Sequence, residues 1–279
     1  MKFPSLKTFV HSIRSVLTRF PFEIGFALLG TMAATVLIEI SELKTAAENV
    51  CLRLIMVANL GLVLSLTLSL FFENNTFSFL KKLLLRVLVI LLGIALFYLI
   101  DPLKRETDIF RFVLLALAFH LSVSFAAYIG KGHINAFWQF NRIIFLRFLI
   151  GGIYSAALFL GLAAAIGSMN FLFNFKFEWD TFAILWVWIA GIFQTVFFLS
   201  GIPASLNELE EDKTYPAGLK IFTQFVLIPL ATVYAIILLA YEAKILIEWE
   251  LPKGLVSNLI LGYAVFGILS LLLIYPVRD

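Results

Sequence analysis

The residues of this chain that could do chemistry are few, and most of them lie within long apolar runs. His120 lies near the centre of one run, in FHLSVSFAAY, and Ser124 follows it one helical turn later on the same face. An ionisable residue at membrane depth is costly and is by default a functional hypothesis, here a proton relay or a cation ligand. The favoured alternative is a neutral histidine that is hydrogen-bonded to a neighbouring helix, because no second ionisable residue is visibly placed to partner it.

Two glutamines and two arginines form the second set of candidate binding residues. Gln194 lies in the middle of one run, and Gln224 lies one turn into the next. Buried amides of this kind more often join helices than bind ligands, and they would form a site only by converging on one cavity. Arg142 and Arg147, in FNRIIFLRFLI, could bind lipid phosphate at the membrane interface, or they could be snorkelling anchors.

The stretch FLSGIPASLNELEEDKTYPAGLKIF, residues 198–222, carries four closely spaced acids: Glu208, Glu210, Glu211 and Asp212. Carboxylates suit calcium or magnesium, but the spacing is not that of an EF-hand. Gly201 and Pro203 are placed to end one helix, and Pro216 is placed in the first turn of the next. We therefore interpret the acids as the solvated turn of a helical hairpin and predict no metal site.

The sequence lacks the common catalytic motifs. It contains no Gly-rich phosphate loop followed by Lys and Ser/Thr, no HExxH and no Gly-x-Ser-x-Gly elbow. The single cysteine, Cys51, excludes an intrachain disulfide and a Cys-based zinc site. We predict no catalytic residue and no cofactor, and the sequence favours a protein that is not an enzyme.

The composition identifies the solvent in which these residues must be positioned. The chain has 279 residues, of which 62% are hydrophobic and 14% charged. Soluble domains carry about 25% charged and about 45–50% apolar residues. Thirty phenylalanines add aromatic surface that would aggregate in water. The lipid bilayer is therefore the expected surrounding, and nucleic acid is not an expected partner.

We predict an all-α fold, a polytopic bundle of about eight transmembrane helices, because eight segments have about the 20 apolar residues needed to cross the hydrocarbon core. These segments are 22–40, 54–72, 83–100, 109–129, 148–167, 181–203, 221–241 and 255–275. Apolar and basic residues alternate at helical spacing over residues 2–20, which predicts a basic amphipathic interfacial helix at 1–21. The connections are too short to form a second domain, so residues 22–279 are predicted to be a single transmembrane domain.

Orientation and self-association follow from two further patterns. With both termini in the cytoplasm, 13 Lys and Arg residues lie on the cytoplasmic side and 8 on the far side, as the positive-inside rule prefers. We therefore expect a multi-pass membrane protein with both termini on the cytoplasmic side. Small residues at four-residue spacing in helix 148–167 predict close packing against another helix, in the same chain or in a second copy.

The segments YPAGLKIFTQFVLIPLATVYAIIL (215–238) and WELPKGLVSNLILGYAVFGILSLLLIYP (249–276), with FLSGIP (198–203) before them, resemble the bacterial membrane family called domain of unknown function 4153. The resemblance is best over about residues 194–276. It implies a multi-pass protein of the bacterial cytoplasmic (inner) membrane, with no assigned reaction. Members of that family look longer, so the resemblance also implies a truncated or naturally short form.

Three functions remain open from the sequence. The first is a non-catalytic protein of the cell envelope that acts through helix packing and membrane-protein partners. The second is a transporter or permease for a small solute or lipid, suggested by His120, the two glutamines and a helix kink at Pro229. The third is an intramembrane lipid-modifying enzyme, suggested only by Arg142 and Arg147.

Overall fold

The computed structural model describes residues 14–40, 45–73, 75–129, 133–173, 176–203, 205, 208–211, 228–249 and 255–274. These residues form helices, turns and short connections, and none of them belongs to a β-strand. The chain divides into two compact units, Met1–Glu211 and Asp212–Asp279, which are described separately. The prediction of a single domain over residues 22–279 stays a prediction.

The described residues of the first unit form six long helices. They are α1 Pro21–Glu39, α2 Thr45–Glu73, α3 Phe79–Leu99, α4 Glu106–Ala126, α5 Ile134–Phe173 and α6 Trp179–Ser200. All six are long and apolar enough to cross a membrane. The predicted all-helical class is thereby confirmed for the described residues, with six helices as candidate membrane spans. The count of eight spans stays a prediction, and so does the amphipathic helix, of which only residues 14–19 are described and helical.

Two helices begin earlier than the hydropathy pattern predicts. Helix α2 begins at Thr45 instead of residue 54, and α5 begins at Ile134 instead of residue 148. The predicted connections before them contain good helix formers and no proline, so the helix can continue beyond the hydrocarbon core without losing backbone hydrogen bonds. Hydropathy measures only the apolar part of such a helix.

Helices α1 and α2 pack closely along their length. At two positions a glycine permits this approach. A Cβ atom added to Gly61 would lie 2.5 Å from the ring of Phe26, and one added to Gly30 would lie 3.1 Å from Cβ of Ala58. Small residues at such crossings allow membrane helices to gain van der Waals contact. The α1–α2 pair therefore forms a tight unit against which other helices pack.

Helix α6 contains a π-helical turn at Ile189–Phe193. The backbone of Gly191, inside this turn, packs directly on the hydroxyl of Thr31 in α1. A π-helical turn accommodates one more residue than an α-helical turn, and such turns occur frequently at functional sites. Here the absence of a side chain at Gly191 lets α6 approach α1.

The second unit contains α7, Ile228–Glu248, and α8, Leu255–Ile274. The two helices meet where Tyr234 and Tyr263 stack at 6.1 Å between ring centroids and where Tyr263 donates a hydrogen bond to the carbonyl of Ala231 at 3.3 Å. Trp249 ends α7 with a φ of 53°, a conformation more commonly supplied by glycine. Pro229 lies at the start of the described part of α7, so the predicted kink stays a prediction.

Candidate functional site

The most unusual side chain in the first unit is the buried carboxylate of Glu23. Helix α1 begins at Pro21, so Glu23 lies in its first turn, and its exposed fraction is 0%. Oε1 of Glu23 accepts hydrogen bonds from the hydroxyls of Ser65 at 2.9 Å and Ser69 at 2.7 Å. The two serines are buried one turn apart on α2, so they present both hydroxyls to one carboxylate oxygen.

The second oxygen of this carboxylate has no protein partner. Oε2 of Glu23 is buried and makes no hydrogen bond, and within the described ranges Glu23 takes part in no ion pair. An isolated buried carboxylate is among the most costly groups that a protein can hold. Glu23 is therefore the residue whose environment most needs a ligand.

An ion pair lies about one helical turn from this group, between Arg19, which precedes α1, and Glu73 at the end of α2. Nε and Nη2 of Arg19 donate to the two carboxylate oxygens of Glu73 at 2.6 and 2.8 Å. Arg19 also donates from Nη1 to the carbonyl of Ile202 at 2.8 Å and from Nη2 to that of Pro203 at 2.6 Å. One guanidinium thus joins the segment before α1, the end of α2 and the chain after α6.

A second arginine holds the same FLSGIP segment from α5. Arg147 donates from Nε to the carbonyl of Phe197 at 3.1 Å and from Nη2 to the hydroxyl of Ser200 at 2.9 Å. Its guanidinium lies 4.0 Å from the ring centroid of Phe197, and its side chain crosses the bare Cα of Gly201. Arg147 therefore contacts protein groups where the sequence suggested lipid phosphate, while Arg142 lies 5.3 Å from the ring of Trp138 on its own helix.

The acidic loop also has a structural contact that the sequence interpretation missed. Oε2 of Glu210 accepts a hydrogen bond from the backbone N–H of Ala136 at 2.7 Å, and the side chain of Asn135 donates to the carbonyl of Glu210 at 2.8 Å. The carboxylate thereby satisfies a free N–H in the first turn of α5 and complements the helix dipole. Glu208 and Glu211 are exposed, as a solvated turn requires, and Asp212 lies outside the described residues.

Burial raises the pKa of the nearby Tyr128 hydroxyl, and the negative charge of Glu210 raises it further. His133, which precedes α5, has Nδ1 3.9 Å from Oε2 of Glu210. The N-terminal end of α5 is therefore a site of packed polar contacts, in which Glu210 is the anionic group.

The histidine and serine of the first predicted pair do not meet. Nδ1 of His120 lies 2.7 Å from the carbonyl of Ala116 on its own helix, and the residue is exposed on the outside of the unit. Ser124 instead donates to the side-chain oxygen of Asn141 on α5, whose amide donates back to the Ser124 carbonyl at 3.1 Å. Ser124 joins two helices, and the described structure shows no shared site with His120.

The glutamine candidates are separated in the same way. Gln194 accepts a hydrogen bond from the fully buried hydroxyl of Ser155 at 2.9 Å, which ties α6 to α5. Gln224 lies outside the described residues. The interhelical role that the sequence favoured for such amides matches the observed contact of Gln194.

The opposite end of the first unit carries a network of charged residues. The carboxylate of Asp101, between α3 and α4, pairs with Arg53 at 2.5 Å and accepts a hydrogen bond from Asn49 at 2.9 Å, both from α2. Burial raises the pKa of Asp101, but the Asn49 hydrogen bond and the charge of Arg53 outweigh it, so the pKa lies below its ordinary value. Asp108 accepts the backbone N–H of Asp101 at 2.8 Å and pairs with two arginines, Arg105 and Arg111.

Glu23 was absent from the candidate residues because its neighbours in sequence give no hint of its partners. The signal was present in two separate places. Glu23 is the second residue of the predicted span 22–40, and two serines lie four residues apart within the span 54–72. Only their juxtaposition makes a site.

The family model described as Domain of unknown function (DUF4153) matches residues 24–276 of the chain. No curated protein and no solved structure matches it.

Proposed function

The chain belongs to the DUF4153 family, and from that premise we propose that it is a multi-pass protein of the bacterial cytoplasmic membrane that acts through helix packing and partners, without catalysis. The observation that carries this proposal is the use of the candidate polar side chains. Ser124, Gln194 and Arg147 each bind a neighbouring helix or loop, and the ring of His120 contacts the carbonyl of Ala116 on its own helix. Groups engaged in this way are not free to gather around a substrate.

The six helices alternate in direction along the chain, which supports the placement of two groups of charged residues at opposite ends of the unit. Arg19, Glu73 and the Ile202 carbonyl meet at one end of the unit, and Arg53 and Asp101 meet at the other. In the proposed topology the first end faces the cytoplasm. Labelling of single cysteines in a Cys51→Ala background tests this: a cysteine at Lys104 should react from outside intact cells, and one at Glu211 only after permeabilisation. The reverse pattern would invert the topology.

A second copy of the chain is the proposed partner. On α5, Gly151 and Ser155 pack against α6, but Ala157, Gly161 and Ala165 form an exposed row of small residues at four-residue spacing. Such a row allows close helix–helix approach in lipid. This is the part of helix 148–167 that remains available for self-association.

Disulfide cross-linking in membranes tests the proposed partner. In the Cys51→Ala background, a cysteine at Ala157 or Ala165 should form a covalent dimer under mild oxidation, and Gly161→Leu should abolish it. A cysteine at Leu84, exposed on α3, is the matched control and should not cross-link. Equal cross-linking at Leu84 and Ala165, or none at either, would remove the basis for self-association through α5.

A small-solute transporter is the second candidate, and the buried carboxylate of Glu23 is the observation that favours it. Ionisable residues between membrane helices commonly lie on the paths of ions and protons. The test is solute flux into liposomes that contain the purified full chain, compared with the Glu23→Gln variant and with empty liposomes. Flux above empty liposomes that Glu23→Gln abolishes would support transport, and the absence of flux with every ion and metabolite tried would oppose it.

A further inference from the structure

We propose that Glu23, Ser65 and Ser69 form a binding site for one exchangeable monovalent cation, either a proton or a small alkali ion, at Oε2 of Glu23. The site follows from a local charge balance. It does not depend on whether the protein transports a solute or acts through partners, and so it goes beyond the proposed function.

The charge balance depends first on the burial of the Glu23 carboxylate. Glu23 is completely buried, and its Oε2 atom accepts no hydrogen bond from the protein groups that the structure describes. Two serine hydroxyls at Oε1 reduce the cost of a negative charge, as does the position in the first turn of α1, where the helix dipole favours an anion. Neither supplies a full positive charge. A compensating cation at Oε2 would complete the balance.

The charged side chains near this end of the unit are otherwise engaged. Arg19, one turn before Glu23, directs Nε, Nη1 and Nη2 at Glu73, Ile202 and Pro203. On α3, the guanidinium of Arg86 lies 4.4 Å from the ring centroid of Phe22. On α5, Arg142 lies over Trp138. Among the described residues, none of these arginines forms an ion pair with Glu23.

The available ligand atoms suit a small monovalent cation. Oε2 of Glu23 alone is sufficient to hold a proton. For an alkali ion, the carboxylate oxygen Oε2 supplies a hard oxygen ligand, while the two serine hydroxyls hold Oε1. The site contains one acid, and within the described chain no cluster of three metal-ligating side chains occurs, so a divalent ion is disfavoured. Both ligands share one property, a single positive charge placed at Oε2.

Occupancy of the site would stabilise the contact between α1 and α2. Glu23 connects the start of α1 to the C-terminal half of α2, and the Arg19–Glu73 pair lies one turn away. Loss of the cation would leave an uncompensated charge in this contact, which favours separation of the two helices or entry of water. The binding of the cation and the packing of α1 on α2 are therefore coupled.

Infrared spectroscopy of the full-length protein in nanodiscs tests the site directly. If the ligand is a proton, the spectrum contains a protonated-carboxyl band that disappears at high pH and is missing in Glu23→Gln. If the ligand is an alkali ion, Glu23 contributes carboxylate bands that shift between sodium and choline buffers of equal ionic strength. Glu106→Gln, which removes an exposed acid, should change neither signal.

The double variant Ser65→Ala/Ser69→Ala provides a second measurement in case Glu23→Gln fails to fold. It retains the carboxylate but removes the two hydroxyls that donate to Oε1. The proton or sodium concentration at the midpoint of the transition should therefore change at least severalfold. A Glu23 signal that changes with neither pH nor sodium would overturn the proposal, because the residue would then be a permanently protonated or permanently ionised structural group. Retention of the flux or dimer phenotype in that case would leave the proposed function intact.

Discussion

Arg19 and Glu73 form a two-point ion pair, with Nε to Oε1 at 2.6 Å and Nη2 to Oε2 at 2.8 Å, although 54 residues separate them in the chain. The same guanidinium binds the last two residues of FLSGIP. A planar fork with five donors can make all these contacts at once, and an ammonium group cannot. The guanidinium of Arg19 therefore cross-links three segments of the chain. The third segment, FLSGIP, is one of those that resemble the family.

The first prediction concerns this cross-link. Arg19→Lys should lower the free energy of unfolding by about 1–3 kcal/mol, because charge-assisted hydrogen bonds to Glu73 and to two carbonyls are lost while the charge is kept. Reversible unfolding in mixed micelles measures the change. Arg14→Lys, at an exposed position among the described helical residues 14–19, is the matched control and should have no measurable effect. Equal stability of the two variants would show that the Arg19 contacts contribute little.

The second prediction concerns the packing of the Arg147 side chain against the backbone of Gly201. Gly201→Ala places a methyl group where the Arg147 side chain crosses the backbone, so the arginine must leave Phe197 and Ser200. We expect a destabilisation of about 1–3 kcal/mol. A Cβ at Gly152 on α5 would meet nothing within 4 Å, so Gly152→Ala should be neutral or stabilising by up to about 1 kcal/mol. The thermal midpoints of the two variants should move in opposite directions or differ clearly.

The third prediction separates one acid of the loop from the next. Glu210→Ala should cost about 0.5–2 kcal/mol, as the loss of a helix N-terminal cap does, because the N–H of Ala136 loses its acceptor. Glu211→Ala, at the exposed neighbouring position, should change stability by less than about 0.5 kcal/mol. Hydrogen exchange at the start of α5 should rise only in the first variant. An identical response to both changes would show that Glu210 is only a solvated acid and does not cap α5.

The fourth prediction concerns pH and Asp101. The pKa of Asp101 lies below its ordinary value because the Asn49 hydrogen bond and Arg53 favour the ionised form more than burial opposes it. Such a carboxyl contributes stability that is complete above its unfolded pKa, about 3.9, and that is lost as the pH falls through the folded pKa. The thermal midpoint of the wild type should therefore fall more steeply below about pH 4 than that of Asp101→Asn. Parallel pH curves would contradict this linkage.

The fifth prediction concerns His120, the leading candidate from the sequence. His120→Ala should change stability by less than about 0.5 kcal/mol, because the ring is exposed and bonds only to its own helix. Gln194→Ala is the comparison, and it should cost about 0.6–1.7 kcal/mol because it leaves the buried Ser155 hydroxyl without its acceptor. Loss of dimerisation or flux in His120→Ala would show that a second molecule uses this exposed ring.

The positions of the apolar helices could be read closely from hydropathy alone. The segments 22–40 and 109–129 differ from Pro21–Glu39 and Glu106–Ala126 by no more than three residues at either end. Proline at the first position of α1 marks its start. Hydropathy missed the early starts of α2 and α5, because a helix can extend beyond its apolar segment into polar residues.

By itself, the sequence determined the solvent of the chain, its helical class and its family, because apolar length and composition are properties of each segment alone. The tertiary structure decided which polar groups meet. Ser65 and Ser69 lie 42 and 46 residues from Glu23, and Ser155 lies 39 from Gln194. A hydrogen bond requires two groups within about 3 Å of each other, and only the packing of helices on one another brings such distant residues that close.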